Sequence, residues 1–395
     1  MTALLGSSVG KLGIEQASTL MTALFIAGWA SGGLIFGVYG DRLGRVKTMA
    51  LTILVYSVFT GLSGFASNIW DFGLYRFLAG IGVGGEFAAG AALIAEIIPG
   101  ALRPYALGLM QATAMLGTLL GTLLSMFIEA TANIGGVEGW RILFAAGTVP
   151  ALLLILLRLK VRESEAWLTA RAQSTHNKLA MGSIGELFQR PWRVGSLIGI
   201  LLGFTGQLGI WAIGTWSPEL MRGVLSTAGQ FAATEKSQIV GTGLILKDLA
   251  SLLGVAVFTW AAQKYGRRPA FAISFASSLI AVLICFGGMK NVSDIWWMMP
   301  LLGATVWSPL AGFSLYFPEI FPTRLRSSGI GLCYNVARYL TAAGVLGMAP
   351  LMSSLLDLGV QEPLRYAALS LSSVYLLGLI ALRWAPETLG RSLPS

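Results

Sequence analysis

Apolar residues run along this chain in blocks of about 20, the length a helix needs to cross a bilayer. Short polar stretches separate them and hold most of the charge. The blocks predict helices over 17–39, 48–67, 71–95, 105–128, 140–159, 194–216, 238–261, 269–288, 294–317, 328–350 and 364–384. Eleven such spans make an all-α membrane protein. Composition agrees: 55% of the residues are hydrophobic and 11% charged, against about 25% charged in a soluble domain.

The net charge of +9 raises the question of a polyanionic partner, and the positions of the cations answer it. Arg42, Arg45, Lys47, Arg103, the cluster from Arg158 to Arg193, Lys264, Arg267, Arg268, Arg324, Arg326, Arg383 and Arg391 fall on one side of the spans. Only Lys11, Arg141, Arg222, Lys236, Lys290 and Arg365 fall on the other, and Arg76, Lys247 and Arg338 lie inside. This is the positive-inside pattern. It makes the first side, with the C-terminus, cytoplasmic, and it points away from nucleic acid. Cys285 and Cys333 sit singly inside spans and offer neither a disulfide framework nor a metal spacing. His176 lies among polar residues of a long loop, as a solvated side chain.

The chain repeats itself. Glu-Ile-x-Pro-x-x-x-Arg occurs at Glu96–Arg103 and again at Glu319–Arg326, 223 residues on. Gly44-Arg45 matches Gly266-Arg267, Arg141 matches Arg365 and Glu163 matches Glu387, at offsets of 222 to 224. Four matches in one order indicate two copies of a six-helix unit. The second copy opens near Val194. Its counterpart would open before Met1, and MTALLGSSVG is too short to span. No basic segment precedes an apolar one there, so it does not read as a signal peptide. The expected layout is a first bundle over 1–159 lacking its first helix, a cytoplasmic linker loop over 160–193 and a second bundle over 194–395.

Several segments resemble the major facilitator superfamily. Gly37, Asp41, Arg42, Gly44, Arg45 and Lys47 approximate its G-x-x-x-D-R-x-G-R-[RK] loop, with the last basic residue displaced by one. Gly266, Arg267 and Arg268 are the second version, with Gln263 where the first has Asp41. RFLAGIGVGGE from Arg76 is similar to the fourth-helix Arg-x-x-x-Gly pattern, and WSPELM from Trp216 to the segment ending the seventh helix of sugar porters. YFPEIFPTRLRSSGIGLCYNVAR resembles the metabolite–proton symporters, which include sialic-acid and aromatic-acid carriers. The resemblance implies two pseudo-symmetric bundles that rock about a central site. It also implies that Asp41, Arg42, Arg45, Glu96, Arg103 and Glu163, with Arg267, Arg268, Glu319, Arg326 and Glu387, form charge clusters that tie helices within each half and bias the rocking. Charge-assisted hydrogen bonds at helix ends suit such a switch.

Ionisable groups inside a bilayer are expensive, roughly 2.5–3.5 kcal/mol each at the centre on insertion scales, so they should face a cavity or a partner. They are Arg76, Glu86, Lys247, Asp248 and Arg338. At 1.5 Å per residue, Glu86 lies about 15 Å from Glu96, near mid-membrane. The resemblance implies that the eighth and eleventh helices are neighbours, which would pair Asp248 with Arg338, and the nearest sequence partner of Arg76 is Asp71. Gln111, Gln207, Trp211, Trp307 and Asn335 complete a polar and aromatic cavity. Trp211 follows Gly209 by two, where the sugar-porter GIN pattern has Asn. That departure, and three embedded cations against two anions, favour an anionic substrate over a hexose. Gly80, Gly82, Gly84 and Gly85 mimic a dinucleotide fingerprint, but no strand precedes them, so they indicate close helix packing.

No phosphate loop of the G-x-x-x-x-G-K-[ST] type occurs, and no nucleophile stands with a base or metal cluster. The chain therefore reads as a secondary transporter rather than a pump or an enzyme, needing no cofactor and no metal. The expectation is proton-coupled symport of a small organic carboxylate by a monomer in a bacterial inner membrane, with Glu86 the resident candidate for the proton. A sugar facilitator or an exporter on the same fold is the alternative. A non-transporting sensor is a third reading, weakened by the absence of a long soluble domain.

Overall fold

The computed structural model describes residues 14–128, 133–158, 161–229 and 231–394. The expectations placed on Lys11, on Lys160 and on the stretch before residue 14 lie outside these, as does the side chain of Arg158. The first bundle holds α1 (Ile14–Arg42), α2 (Arg45–Ser63), α3 (Ile69–Ile97), α4 (Arg103–Phe127) and α5 (Gly139–Arg158). Two short antiparallel strands, β1 (Asn133–Ile134) and β2 (Val137–Glu138), join α4 to α5. The expected linker loop is partly helical, with α6 (Glu165–His176) and the single turn α7 (Ile184–Leu187). Ser164 caps α6 by accepting from the Trp167 N–H. The second bundle holds α8 (Arg193–Leu208), α9 (Ser217–Thr227), α10 (Ala233–Tyr265), α11 (Arg267–Gly288), α12 (Val292–Val306), α13 (Pro309–Ile320), α14 (Arg326–Leu346), α15 (Met348–Asp357), α16 (Pro363–Ser372) and α17 (Val374–Ala381).

Among the described residues, nine helical runs are long and apolar enough to cross a membrane. Helices α4 and α5 occupy the other two expected spans. Four expected spans of the second bundle are not continuous α-helix. The 194–216 span widens after Leu208, where the Gly214 N–H reaches back to the Gly209 carbonyl. The 294–317 span breaks at Trp307–Ser308, just before Pro309, which lacks an N–H to continue the ladder. The span from 328 breaks at Gly347 and the last at Ser373. There the Ser372 and Ser373 hydroxyls donate back to carbonyls three residues earlier.

Close packing within each bundle uses glycine. A Cβ on Gly84 would sit 1.9 Å from the Trp29 carbonyl oxygen, and one on Gly32 would sit 1.9 Å from that of Ile81. Helices α1 and α3 therefore touch backbone to backbone, and Gly28, Gly32, Gly80 and Gly84 form a small-xxx-small face on each. The second bundle repeats this between α10 and α12: Gly303 lies against the Lys247 carbonyl and Gly254 against that of Ala304. Helix α14 packs on α1, and α10 on α4, where the two bundles meet.

Two of the repeated motifs make matching bonds in both halves. Arg141 donates to the carbonyls of Gly64 and Ala66, and Arg365 to those of Phe286 and Met289. Glu163 accepts from the N–H groups of Arg45, Val46 and Lys47, while Glu387 accepts from those of Arg267 and Arg268. Gly44 and Gly266 take φ of 111° and 107°. A Cβ on either would collide with the carboxylate it faces, so only glycine fits.

Candidate functional site

Two sites emerge: a charge network at the linker side and a buried centre on α14. In the network, Arg45 donates from Nε and Nη2 to Glu96 at 3.3 and 2.9 Å, and Arg267 donates to Glu319 at 3.0 and 2.7 Å. Ser164 Oγ also donates to Glu96, as Thr388 Oγ1 does to Glu319. The arginine–glutamate contacts join residues that the sequence grouped within each half, and the two hydroxyl donors are additions to them. Unanticipated are the bonds that cross between halves. Arg326 Nη1 donates to Glu96 at 2.8 Å, and Arg45 Nη2 to the Thr323 carbonyl at 2.6 Å. Asp41 accepts from the N–H of Ser327 at 3.1 Å, the N–H of Ser328 at 2.9 Å and the Ser328 hydroxyl at 2.6 Å. A carboxylate of one bundle thus caps the first turn of α14 in the other, where orphan N–H groups and the helix dipole favour a negative charge. Asp41 also lies 3.0 Å from Arg45, so no charge in this buried cluster stands alone, as burial requires.

The linker joins the network. Trp167 is buried and donates from Nε1 to the Asp41 carbonyl at 2.7 Å. Arg42 donates to the Met181 carbonyl, Gly182 N–H to the Arg324 carbonyl, and Arg324 pairs with Glu186. The hydrogen bonds from Arg324 hold the Glu186 carboxyl below the usual carboxylate range, against a smaller upward push from burial. Burial pushes Glu387 up, but backbone N–H donors, led by those of Arg267 and Leu389, outweigh it and hold it low. Arg103 does not repeat the bond of Arg326: its Nε is buried with no hydrogen-bond partner among the described residues. Arg268 enters through its backbone N–H, which donates to Glu387.

The second site centres on Arg338, which is 2% exposed. Its guanidinium carbon lies 3.7 Å from the Trp29 ring centre and 4.7 Å from that of Tyr334. Nε, Nη1 and Nη2 find no hydrogen-bond acceptor among the described residues. Desolvated cation–π contacts contribute about 2 kcal/mol or more, which offsets part of the cost of a charge at this depth but satisfies none of the N–H donors. Trp211 meets Trp29 edge-on at 6.2 Å, and Phe87 stacks on Tyr334 at 4.3 Å. Gln207 donates to the Tyr334 carbonyl at 2.7 Å and leaves its Oε1 unpartnered among the described residues. Asn335 donates to the Gly331 carbonyl and, among the described residues, leaves Oδ1 unpartnered, as Trp29 and Trp307 leave their Nε1. Gln111 is tied across the halves to Ser314 at 3.3 Å.

The expected Asp248–Arg338 pair does not form. Asp248 approaches Lys247, at 3.8 Å, while Arg338 is turned into the aromatic rings. Arg76 does not use Asp71 either, because Asn68 Nδ2 donates to that carboxylate at 2.7 Å. Arg76 lies 4.1 Å over the Phe25 ring and 5.7 Å from that of Phe144. Glu86 is half-buried on α3. Lys247 and Asp248 line a separate cavity of about 280 Å³. Sequence reasoning missed Trp29 and Tyr334. The signal for the first was a lone tryptophan set between the packing glycines Gly28 and Gly32.

A family model described as sugar (and other) transporter matches residues 8–180 and 169–395. A probable 4-methylmuconolactone transporter of Cupriavidus pinatubonensis is 27% identical, with 97% of this chain and 83% of that protein covered. The cis,cis-muconate transport protein of Acinetobacter baylyi is 29% identical, covering 81% of this chain and 74% of that one. The proton:xylose symporter XylE superposes with a TM-score of 0.77 at 20% identity, covering 99% of this chain and 91% of that one. With the two bundles, the doubled charge network and a match along nearly the whole length, the chain belongs to the sugar (and other) transporter family of the major facilitator superfamily and is a multi-pass membrane transporter.

Proposed function

We propose that this transporter carries a small organic carboxylate together with a proton, by alternating access between a first bundle over 1–159 and a second over 194–395 joined by the 160–193 linker. The observation that carries the reading is Arg338: a fully buried guanidinium, bedded on Trp29 and Tyr334, with no acceptor for its N–H groups among the described residues. A carboxylate matches that fork with two parallel bonds, and a hexose, being neutral, does not offset the buried charge. Beside it Trp29 Nε1 is a donor, and Gln207 Oε1 and Asn335 Oδ1 are acceptors, without partners among the described residues. A planar or unsaturated acid with a further polar group suits this set, and the muconate and muconolactone carriers among the relatives agree in substrate class.

The linker side is the cytoplasmic one by its cations, in a bacterial inner membrane, with the protein acting as a monomer. The clusters around Arg45 and Arg267 then hold each half rigid. The bonds of Asp41 and Arg326 across the halves close the cytoplasmic side, so this conformation opens outward. A proton must ride on an embedded carboxyl, and Glu86 and Asp248 are the two in the helices. The test is uptake into proteoliposomes of labelled cis,cis-muconate, gentisate and N-acetylneuraminate beside labelled xylose and glucose, with and without an inward proton gradient. Gradient-driven accumulation of an acid is expected. Transport of a hexose with no response to any acid overturns the reading in favour of a sugar carrier, and no transport of either class favours a sensor.

A further inference from the structure

We propose that Lys247 and Asp248 are the coupling pair of this transporter: an entering carboxylate displaces Asp248 from Lys247, and Asp248 takes up the proton that travels with it. This rests on the symport reading above.

The two residues stand near the middle of α10, about 21 Å from its start at Ala233 and about 27 Å from its end at Tyr265 at 1.5 Å per residue. Neighbours in a helix do not face each other. The pair therefore closes only to 3.8 Å between Nζ and Oδ1, beyond hydrogen-bond range, although the side chains are just 9% and 31% exposed. A buried ion pair this loose leaves both charges poorly satisfied, so a better acceptor for the ammonium has an advantage over Asp248.

There is room for that acceptor. Both side chains line a cavity of about 280 Å³, close to the lower end of ordinary small-molecule sites. The rest of the lining is Leu119, Gly214, Pro218, Gly241, Leu244 and Ile245. It carries no side-chain hydrogen-bonding group, so an anion entering there meets one cation and one carboxylate. Leu119 belongs to α4 of the first bundle and the rest to the second. The cavity thus lies across the boundary that must shear when the bundles rock. The Lys247 backbone is pressed against Gly303 of α12, which fixes it in place while the side chains exchange partners.

Other ionisable groups on the elements packed against α10 are engaged elsewhere. Glu219 and Arg222 on α9 pair with each other. Asp294 on α12 accepts from the backbone N–H groups of Lys290 and Asn291. Glu319 on α13 is bonded to Arg267 of α11, Arg268 begins α11 at its linker-side end, and Arg103 begins α4 at its own.

The charges balance at each stage. The resting carrier holds one ammonium and one carboxylate, net zero. A carboxylate anion binds Lys247, and one proton from the outer solution converts the Asp248 carboxylate to a neutral acid. The pair with its anion again totals zero, so loading leaves the buried charge of the carrier, Arg338 included, unchanged. On the far side the anion leaves, the proton leaves Asp248, and the ion pair closes again.

The test uses the full chain in proteoliposomes with labelled cis,cis-muconate, gentisate and N-acetylneuraminate. Asp248→Asn is expected to lose accumulation driven by an imposed proton gradient while exchange of labelled for unlabelled acid continues at a reduced rate. Asp248→Glu, which keeps an ionisable carboxyl, is expected to restore accumulation. Lys247→Gln is expected to raise the KM for uptake at least tenfold. Accumulation kept by Asp248→Asn, or lost by Glu86→Gln while Asp248→Asn keeps it, overturns the proposal. If Asp248→Asn is inactive in exchange as well, failure of a monodisperse Asp248→Glu protein to regain accumulation also overturns it. A wild-type protein that accumulates none of the acids refutes the symport reading itself, and the coupling pair with it.

Discussion

Arg326 of the second bundle donates to Glu96 of the first at 2.8 Å, while their repeat counterparts, Arg103 and Glu319, form no ion pair among the described residues. One sequence motif, used twice, therefore latches the bundles once. Glu96 already serves Arg45 and Ser164, so Arg326 adds to a charge that the first bundle holds without it. A charge-assisted hydrogen bond contributes about 1.5–3 kcal/mol, enough to shift a two-state equilibrium tenfold or more. Ser327 is a suitable reporter, because its Oγ is buried and makes no hydrogen bond among the described residues. In a Ser327→Cys protein with Cys285 and Cys333 replaced by Ala, Arg326→Gln is expected to raise maleimide labelling at least about tenfold, and Arg103→Gln less than about twofold. Equal effects of the two substitutions would show that the latch is symmetric.

The repeat was legible because it relates residues at a fixed offset. It therefore gave Arg45 with Glu96 and Arg267 with Glu319, and it gave the charged octet of the latch. It did not give Arg326 with Glu96, since a bond between copies leaves no offset to read. The same blindness produced the expected Asp248–Arg338 pair. Complementary charge on neighbouring helices was visible, but the rings of Trp29 and Tyr334, which compete for the guanidinium, come from two different helices and carry no charge pattern. Hydropathy found the spans and missed the breaks at Trp307 and Ser373, because a kink changes hydrogen bonding and leaves the apolar composition untouched.

Arg338→Lys tests whether the fork or the charge matters at the centre. Lysine keeps the charge but loses the planar stack on Trp29 and the bidentate geometry. Uptake of labelled cis,cis-muconate or gentisate is expected to fall at least about tenfold in kcat/KM, one charge-assisted bond's worth, with the protein still folded by circular dichroism. Uptake within about twofold of wild type would show that a point charge suffices.

Gly84→Ala tests the backbone contact between α1 and α3. A Cβ there would stand 1.9 Å from the Trp29 oxygen and 2.7 Å from the Gly33 nitrogen. Neither is a flexible side-chain end, so the helices must move apart. Overpacking of this kind costs about 1–3 kcal/mol. Because Trp29 also bears on Arg338, the lower thermal midpoint in detergent is expected to come with weaker uptake of the acid. At Gly100 a Cβ meets nothing within 4 Å, and Gly100→Ala is expected to change neither.

Glu186 gives the linker a pH limit. Its carboxyl is held below the usual range by Arg324, against a smaller push from burial. A carboxyl lowered in the folded state contributes its stabilisation above the unfolded value, here 4.5, and loses it as pH falls through the folded value. The tether between α7 and Arg324 is thus intact at neutral pH and fails only below about 4.5. Gln189 is exposed, three residues along. A spin label on Gln189→Cys is expected to be immobile at pH 7 and to gain mobility as pH drops below that value. In Glu186→Gln the label is expected to be mobile at pH 7 and flat with pH. A label already mobile at pH 7 in the parent protein, or unaffected by Glu186→Gln, would show that the pair with Arg324 does not hold α7.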